Sequence, residues 1–437
     1  MSVEMITISM FVGVFVGVLL GFPIAFTFTG LAFLFGYFAW GPQVMNLMGS
    51  RVAAVMTEFT FVAIPLFVFM GCMLEKSGVA TDALGAVNQW LRKVRGGLGI
   101  ATVILCLVFG ACVGVVGASV TTMGLLVLAP MINNGYNKSL ATGLVAAGGT
   151  LGILLPPSVM LIVFGPMAGV SVVRLFAAAI PPGILLGVCY GIYVGVIGYV
   201  KKGQVPEIVK DSEFELKYSL RQGLVAFVPF IFLIFAVLGT IFFGIAAPTE
   251  AAGVGALGAI IIAAASRKCS PTALKAAAMQ TLRASTMVIY VAVGASLFTG
   301  VFFILGGTRV VGRFVAELGL SANALFALVL ILVFVLGIFI DWMGVIFIII
   351  PIFMPILVGY GFDPLWVSMV IIVLLQTSFL TPPFAYALFF IRGVAPPSVT
   401  IYDIYRGVIP FIIIQLIVTG ICLAFPNFIT FLPDLIV

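Results

Sequence analysis

Two clusters of polar residues interrupt an otherwise apolar chain, and both present oxygen atoms suited to a hard cation. The first joins Gly117-Ala118-Ser119-Val120-Thr121-Thr122 to Gly149-Thr150-Leu151-Gly152 and Pro156-Pro157-Ser158. Ser119, Thr121, Thr122, Thr150 and Ser158 bring hydroxyls. Gly117 and Gly152 allow close approach, and Pro156 and Pro157 free carbonyls by removing the amides that would bond them. Such a set can hold a sodium ion without bringing net charge. The second cluster joins Asp341-Trp342-Met343-Gly344 to Gln376-Thr377-Ser378 and Thr381-Pro382-Pro383, adding a carboxylate and a carboxamide.

Each residue also has a plainer reading. A Ser or Thr in a membrane helix often bonds its own helix carbonyl, and Gly lets helices pack. For a single hydroxyl the two readings balance; for the paired clusters ion binding is favoured. Asp341 is an ionisable residue at membrane depth, costly to bury alone and therefore a functional candidate. It also stands where it would cap the helix that begins just after it, and both roles stay open. Glu250 fits the first turn of a helix, where a carboxylate complements the dipole. Glu58 and Arg392 read as anchors near the interface.

Other chemistries lack their residues. The chain has no His, the commonest general base and metal ligand near neutral pH. It has no GxSxG elbow, HExxH helix or Walker A loop. Its six cysteines form no CxxC pair and read as small buried hydrophobes. An enzyme is not expected, nor an organic cofactor, and ATP would not be hydrolysed on this chain. Any work done must draw on an ion gradient or another subunit.

Of the 437 residues, 63% are hydrophobic and 8% charged, with a mean hydropathy of +1.34. Soluble proteins carry about 25% charged residues, so the composition specifies an all-α polytopic membrane protein. Period-two alternation is absent, which excludes a β-barrel. The +6 charge implies no nucleic acid, because in a membrane protein the placement of basic residues is what informs. Met1 to Glu4 lacks a basic leader, and the first apolar run is expected to stay as a span. That run, Met5 to Trp40, is broken at Gly21-Phe22-Pro23 into two helices. Gln43 to Thr57 reads as interfacial, Phe59 to Glu75 as a span, and Asp82 to Lys93 as an amphipathic or connecting helix.

Gly97 to Asn133 is too long for one crossing and slightly short for two, which predicts a re-entrant helical hairpin with its tip at Gly117 to Thr122. Ser139 to Phe164 reads as a helix interrupted at Gly148-Gly149, Gly152 and Pro156-Pro157. The layout recurs in Asn323 to Tyr360, with a break at Asp341 to Gly344, and in Trp366 to Phe390, broken at Gln376 to Ser378 and Pro382-Pro383. An offset of 226 superposes Gly135 on Gly361 and Pro156-Pro157 on Pro382-Pro383. Further spans are expected near Leu175 to Tyr199, Leu224 to Gly244, Ala251 to Ala265 and Ser285 to Leu305, with a last one after Arg406.

If both hairpins are re-entrant and the termini lie outside, the inner side holds sixteen basic residues, including Lys76, Arg95, Lys138, Lys201, Arg267, Lys268, Arg283, Arg392 and Arg406. The outer side holds Arg51, Arg174, Arg309 and Arg313. This is a strong positive-inside bias, and it makes the two units an inverted-topology repeat of the kind found in secondary transporters. The expected segments are 1–96 (scaffold and interfacial helices), 97–165 (first hairpin and broken helix), 166–322 (scaffold and arm helices), 323–392 (second hairpin and broken helix) and 393–437 (an interfacial helix and the last span).

With these residues in place, the chain resembles the DctM family, the large membrane subunit of tripartite ATP-independent periplasmic (TRAP) transporters. The matching stretches are IPLFVFMG from Ile64, GASVTTMG from Gly117, ATGLVAAGGTLGILLPPS from Ala141, APTEAAGVGAL from Ala247 and QTSFLTPPFAYALFFIRGVAPP from Gln376, spread over nearly the whole chain. GASVTTMG, DWMG and LQTSFLTPPF look closer to the branch associated with monocarboxylates and aromatic carboxylates than to the dicarboxylate branch. Ala118 stands where that branch has a serine. The resemblance implies an elevator-type importer in a bacterial or archaeal cytoplasmic membrane, driven by Na+ as coupling ion. It also implies a small four-helix membrane subunit and a periplasmic binding protein as partners, and a carboxylate substrate. It implies sodium sites at Ser119, Thr122, Thr150 and Gly152, and at Gly344, Thr377 and Thr381. A stand-alone sodium-coupled anion symporter remains the alternative.

Overall fold

A computed structural model of the chain describes residues 2–78, 87, 91, 94–201, 203–206, 220–383 and 385–436. These residues form helices and turns with no strand among them. Nine of the described helices are long and apolar enough to cross a membrane, and one further pair does so as a span bent by 48°. The chain is an all-α polytopic membrane protein.

The opening run divides where Gly21 and Pro23 predict, into α1 (Val3–Leu19) and α2 (Ile24–Trp40). Gly21 takes φ +85°, a backbone that a side chain would strain. After α3 (Val44–Met56) and α4 (Ala63–Lys76), the amphipathic helix expected over 82–93 lies outside the described residues except at 87 and 91, as do Lys210 and Lys217.

Beyond the first repeat run α10 (Leu220–Phe242), α11 (Pro248–Ala265) and α12 (Pro271–Ile304), with helices α5 to α9, which precede them, given below. Helices α2, α3 and α4 pack on α12, while α11 packs on α4 and α10. Helix α12 spans 34 residues and starts well before the expected Ser285. The cause is a local signal: Ser270 Oγ accepts from Ala273 N at 3.0 Å and Pro271 opens the first turn. Two short helices complete the set, α13 (Gly307–Glu317), for which no separate segment was expected, and α19 (Pro426–Ile436), which follows the last span in the stretch 393–437 where an interfacial helix was expected.

The repeat is sharper in the structure than in the sequence. Its first unit is α5 (Gly97–Val113), α6 (Val116–Asn133), α7 (Lys138–Leu154) and α8 (Val159–Ala168). Its second is α14 (Ala322–Phe339), α15 (Trp342–Gly359), α16 (Pro364–Ser378) and α17 (Tyr386–Val394). Helices α5 and α14 end at 113 and 339, and α6 and α15 begin at 116 and 342, each pair at the offset of 226. Asn137 and Asp363 are the matching N-caps, accepting from Ser139 N at 2.9 Å and Trp366 N at 2.7 Å. Gly135 and Gly361 both take positive φ, +86° and +90°.

Several expectations change: Gln376 to Ser378 do not interrupt the second unit's helix but form the end of α16, with the break following at the prolines, and the last span begins at Ile401, ahead of Arg406. The first hairpin turns at Gly114-Val115, so 117–122 forms the first turns of α6 and not the tip. Gly148, Gly149 and Gly152 do not interrupt α7; the break comes at 155–158, where the prolines remove amide donors.

The second half of each broken helix packs on the other repeat's hairpin: α8 on α15, and α17 on α6. Helix α18 (Ile401–Ala424) packs on α7, and α9 (Val172–Val200) packs on α16. These two helices, which the sequence division sets outside the hairpin segments, therefore clamp the broken helices. Contacts between chain ends follow the charge map. Arg174 Nη2 meets Asp434 Oδ1 at 2.7 Å and Arg313 meets Glu4 at 3.5 Å. Lys268 Nζ donates to Gly78 O at 3.0 Å and Lys138 Nζ to Ser398 O at 2.7 Å. Each pair joins residues expected on one side.

Candidate functional site

Proline chemistry builds the centre of each unit. Pro156 and Pro157 have no N–H for the carbonyls of Gly152 and Ile153, one helical turn back. Ser158 Oγ donates to Ile153 O, whereas Gly152 O receives no backbone amide among the described residues. The second unit repeats this. Pro382 and Pro383 withhold donors from Ser378 O and Phe379 O; Ala387 N donates to Phe379 O at 3.1 Å, and Ser378 O is left free of backbone donors among the described residues. Gly152 and Ser378 are related by the offset of 226.

The first hairpin meets its broken helix here. A Cβ on Gly114 would lie 3.4 Å from Pro157 O, and one on Gly149 would lie 2.9 Å from the Cα of Val120. Ser119, one residue before Val120, is fully buried and its Oγ has no hydrogen-bond partner. Thr150 is fully buried as well and donates to Ala147 O at 2.8 Å, leaving its oxygen lone pairs uncommitted. Thr121 and Thr122 are half-buried on α6. Gly117 makes a different contact: its Cβ position lies 2.7 Å from the ring of Phe390, in the other unit.

In the second cluster Asp341 occupies the N-cap of α15 but makes no side-chain cap bond, and its Oδ1 is buried without a partner. Ser378 Oγ is also buried and unpartnered, lying against Gly337 of the first arm. Gln376 is fully buried with both amide atoms unpaired. Thr377 and Thr381 donate back to Leu374 O and Thr377 O at 2.6 and 2.7 Å. Gly344 packs against Ile24 of α2. Leaving a buried polar atom unpaired costs about 1–3 kcal/mol. Ser119, Asp341, Gln376 and Ser378 thus concentrate unmet hydrogen-bonding capacity around the breaks.

A cavity of about 650 Å³ opens beside the second hairpin. It lies between the turn at 21–26, the 283–291 stretch of α12, the tip at 337–342 and the break flanked by Ser378 and Tyr386. Its walls are mostly apolar and aromatic, and its charged residues are Arg283 and Asp341. Sequence reasoning missed Arg283 as a site residue because it placed the span's start at Ser285. The Ser270-Pro271 cap was the available signal, since it carries Arg283 into the helix.

The anchors behave as expected of structural residues. Glu250 Oε2 accepts from Ala247 N at 2.9 Å at the start of α11, and Glu58 Oε1 accepts from Thr60 N at 3.2 Å. Arg392 Nη1 donates to Val399 O at 2.9 Å, tying the end of α17 to the approach of α18.

Residues 10–428 match the family model described as the tripartite ATP-independent periplasmic transporter, DctM component. The chain is 30% identical over 396 residues to the C4-dicarboxylate TRAP transporter large permease protein DctM of Pseudomonas aeruginosa, covering 88% of this chain and 90% of that one. It is 29% identical to the ectoine/5-hydroxyectoine TRAP transporter large permease protein UehC of Ruegeria pomeroyi, covering 94% of both. The fold resembles that of the Alcanivorax borkumensis YdaH transporter, with a TM-score of 0.63 at 14% identity over 89% of this chain and 90% of that one.

Proposed function

The chain belongs to the DctM component family of tripartite ATP-independent periplasmic transporters, and from that premise we propose that it is the sodium-driven permease subunit importing an organic anion. In this reading a soluble periplasmic protein delivers the substrate and a small membrane subunit completes the complex, in the cytoplasmic membrane. The observation that carries the proposal is the matched pair of breaks, each with a carbonyl stripped of its helical donor beside buried, unpaired side-chain oxygen.

Each cluster would hold Na+ through uncharged oxygens. Ser119, Thr122 and Thr150 with Gly152 O form the first set; Thr377 and Thr381 with the backbone near Gly344 form the second. A cation there would satisfy the buried Ser119 Oγ, which has no partner, and share the free lone pairs of the threonine hydroxyls, so ion binding and closure of each hairpin on its broken helix favour one another. The substrate occupies the cavity beside the second hairpin, with its carboxylate facing Arg283 across low-dielectric walls that strengthen the attraction. Asp341, in the same cavity, repels an anion unless a cation lies between them, which makes substrate binding depend on Na+. More than one Na+ per carboxylate is expected, giving inward positive current.

Arg283 belongs to α12, whereas the breaks belong to the two repeats. Sliding the repeat helices as one body past α12 would separate the anion from Arg283 and exchange the side to which the cavity opens, an elevator motion. The named relatives handle dicarboxylate and ectoine, and a carboxylate is the group these substrates share.

The test is uptake by proteoliposomes holding the chain with its small subunit, given binding protein loaded with candidate carboxylates. Accumulation that requires both the binding protein and an inward Na+ gradient is the expected result. Uptake without binding protein would favour a stand-alone symporter, and uptake indifferent to Na+ would reject the coupling scheme.

A further inference from the structure

A second pocket, of about 190 Å³, lies away from the breaks, where the start of α7, the end of α9 and the first turns of α18 meet. Its polar lining is Asn137, Ser139, Tyr193, Lys201, Gln204 and Arg406. We propose that this pocket binds a phosphate group, presented either by an anionic lipid headgroup or as a free anion.

Charge argues for an anion. Lys201 and Arg406 are the charged residues lining the pocket, and neither forms an ion pair with a described residue. Both side chains are exposed at the pocket, and a phosphate held there can accept charge-assisted hydrogen bonds from each. The neighbouring acid, Asp403, does not itself line the pocket: its Oδ2 accepts from Thr400 N at 2.9 Å and Thr400 Oγ1 at 2.6 Å, and its Oδ1 accepts from the lining Ser139 Oγ at 3.5 Å.

The pocket is also shaped by bonds that hold it open. Asn137 N donates to Gln204 O at 2.9 Å, fixing the segment after Lys201. Asn137 spends its Oδ1 on capping α7, through Ser139 N and Leu140 N, which leaves its Nδ2 donor for a ligand. Gly407 packs against Ser139 O, bringing α18 close enough for Arg406 to share a cavity with Lys201. Leu140 and Ile197 line the apolar side, a layout suited to a headgroup whose chains continue along the protein. Lys138, Lys201 and Arg406 all belong to the basic side of the charge map, and basic pockets on that face of a membrane protein recruit anionic headgroups.

The probe is dioleoylphosphatidylglycerol, with dioleoylphosphatidylcholine as reference, titrated onto the purified full-length chain with its small subunit and read as bound lipid per complex. Lys201→Gln/Arg406→Gln is expected to weaken phosphatidylglycerol binding by about 30-fold, from two basic contacts. Arg267→Gln/Lys275→Gln, on the same side but outside the pocket, should leave it unchanged. Lys201→Arg/Arg406→Lys keeps both charges and guards against misfolding, so it should bind within about threefold of wild type. Competition by millimolar inorganic phosphate assigns the pocket to a free anion; its failure to compete assigns it to the lipid headgroup. Equal binding by wild type and the Gln double variant, equal losses in both Gln pairs, or loss in the charge-keeping variant overturns the proposal.

Discussion

Gly110 and Gly152 face each other so closely that a Cβ on Gly110 would stand 2.7 Å from the Cα of Gly152. This contact presses the first hairpin arm onto the broken helix just before the carbonyl of Gly152 loses its donor. Gly152→Ala should therefore lower stability by about 1–3 kcal/mol through overpacking. Gly191→Ala, where an added Cβ meets nothing within 4 Å, should change it by no more than about 0.5 kcal/mol. Unfolding in detergent followed by intrinsic fluorescence checks this, and equal midpoints for the two variants would refute the contact.

Ser119→Ala separates ion binding from packing. Its hydroxyl is buried and unpartnered, so without Na+ the variant should match wild-type stability or exceed it by about 1 kcal/mol. With Na+ the half-saturating concentration for thermal stabilisation should rise about tenfold, the loss of one ligand to a charge. Titration against K+ and choline at constant ionic strength reads both effects, and superimposable Na+ curves would exclude Ser119 from the site.

Arg283→Gln should raise the half-saturating substrate concentration in proteoliposomes by about 10–100-fold, the range for one charged hydrogen-bonding contact. Na+-dependent thermal stabilisation should be unchanged. Parallel loss of both would mean that Arg283 supports the fold instead of the substrate.

Pairing of chain ends makes the topology testable by labelling. In a Cys269→Ser background, Glu4→Cys and Asp434→Cys should react with a membrane-impermeant maleimide in spheroplasts, because their partners Arg313 and Arg174 lie on the outer side of the charge map. Ser398→Cys, beside Lys138, should react only after permeabilisation. Both ion pairs are exposed, worth about 0–1 kcal/mol, so the substitutions should not unfold the protein. The opposite labelling pattern would invert the orientation.

The breaks at Pro156-Pro157 and Pro382-Pro383 were legible because a missing N–H acts locally and needs no partner. The glycines were not. Gly114 and Gly117 look alike in sequence, yet Gly114 takes φ +63° and turns the hairpin, while Gly117 stays helical and makes room for Phe390 from the other repeat. Gly148, Gly149 and Gly152 read as helix breakers and proved to be places of close packing. Which use a glycine serves depends on residues distant in sequence. Arg283 was misplaced for the opposite reason: the hydropathy of the span hid a short polar cap at Ser270 that sets where α12 begins.

The exchange of packing between the repeats, α8 against α15 and α17 against α6, means that part of each repeat's surface is covered only by the other. Cutting the chain between them and expressing the pieces apart would leave each with an uncovered face shaped for the other. Folding of this body is therefore an act of assembly completed late in synthesis, when the second unit arrives to close the first.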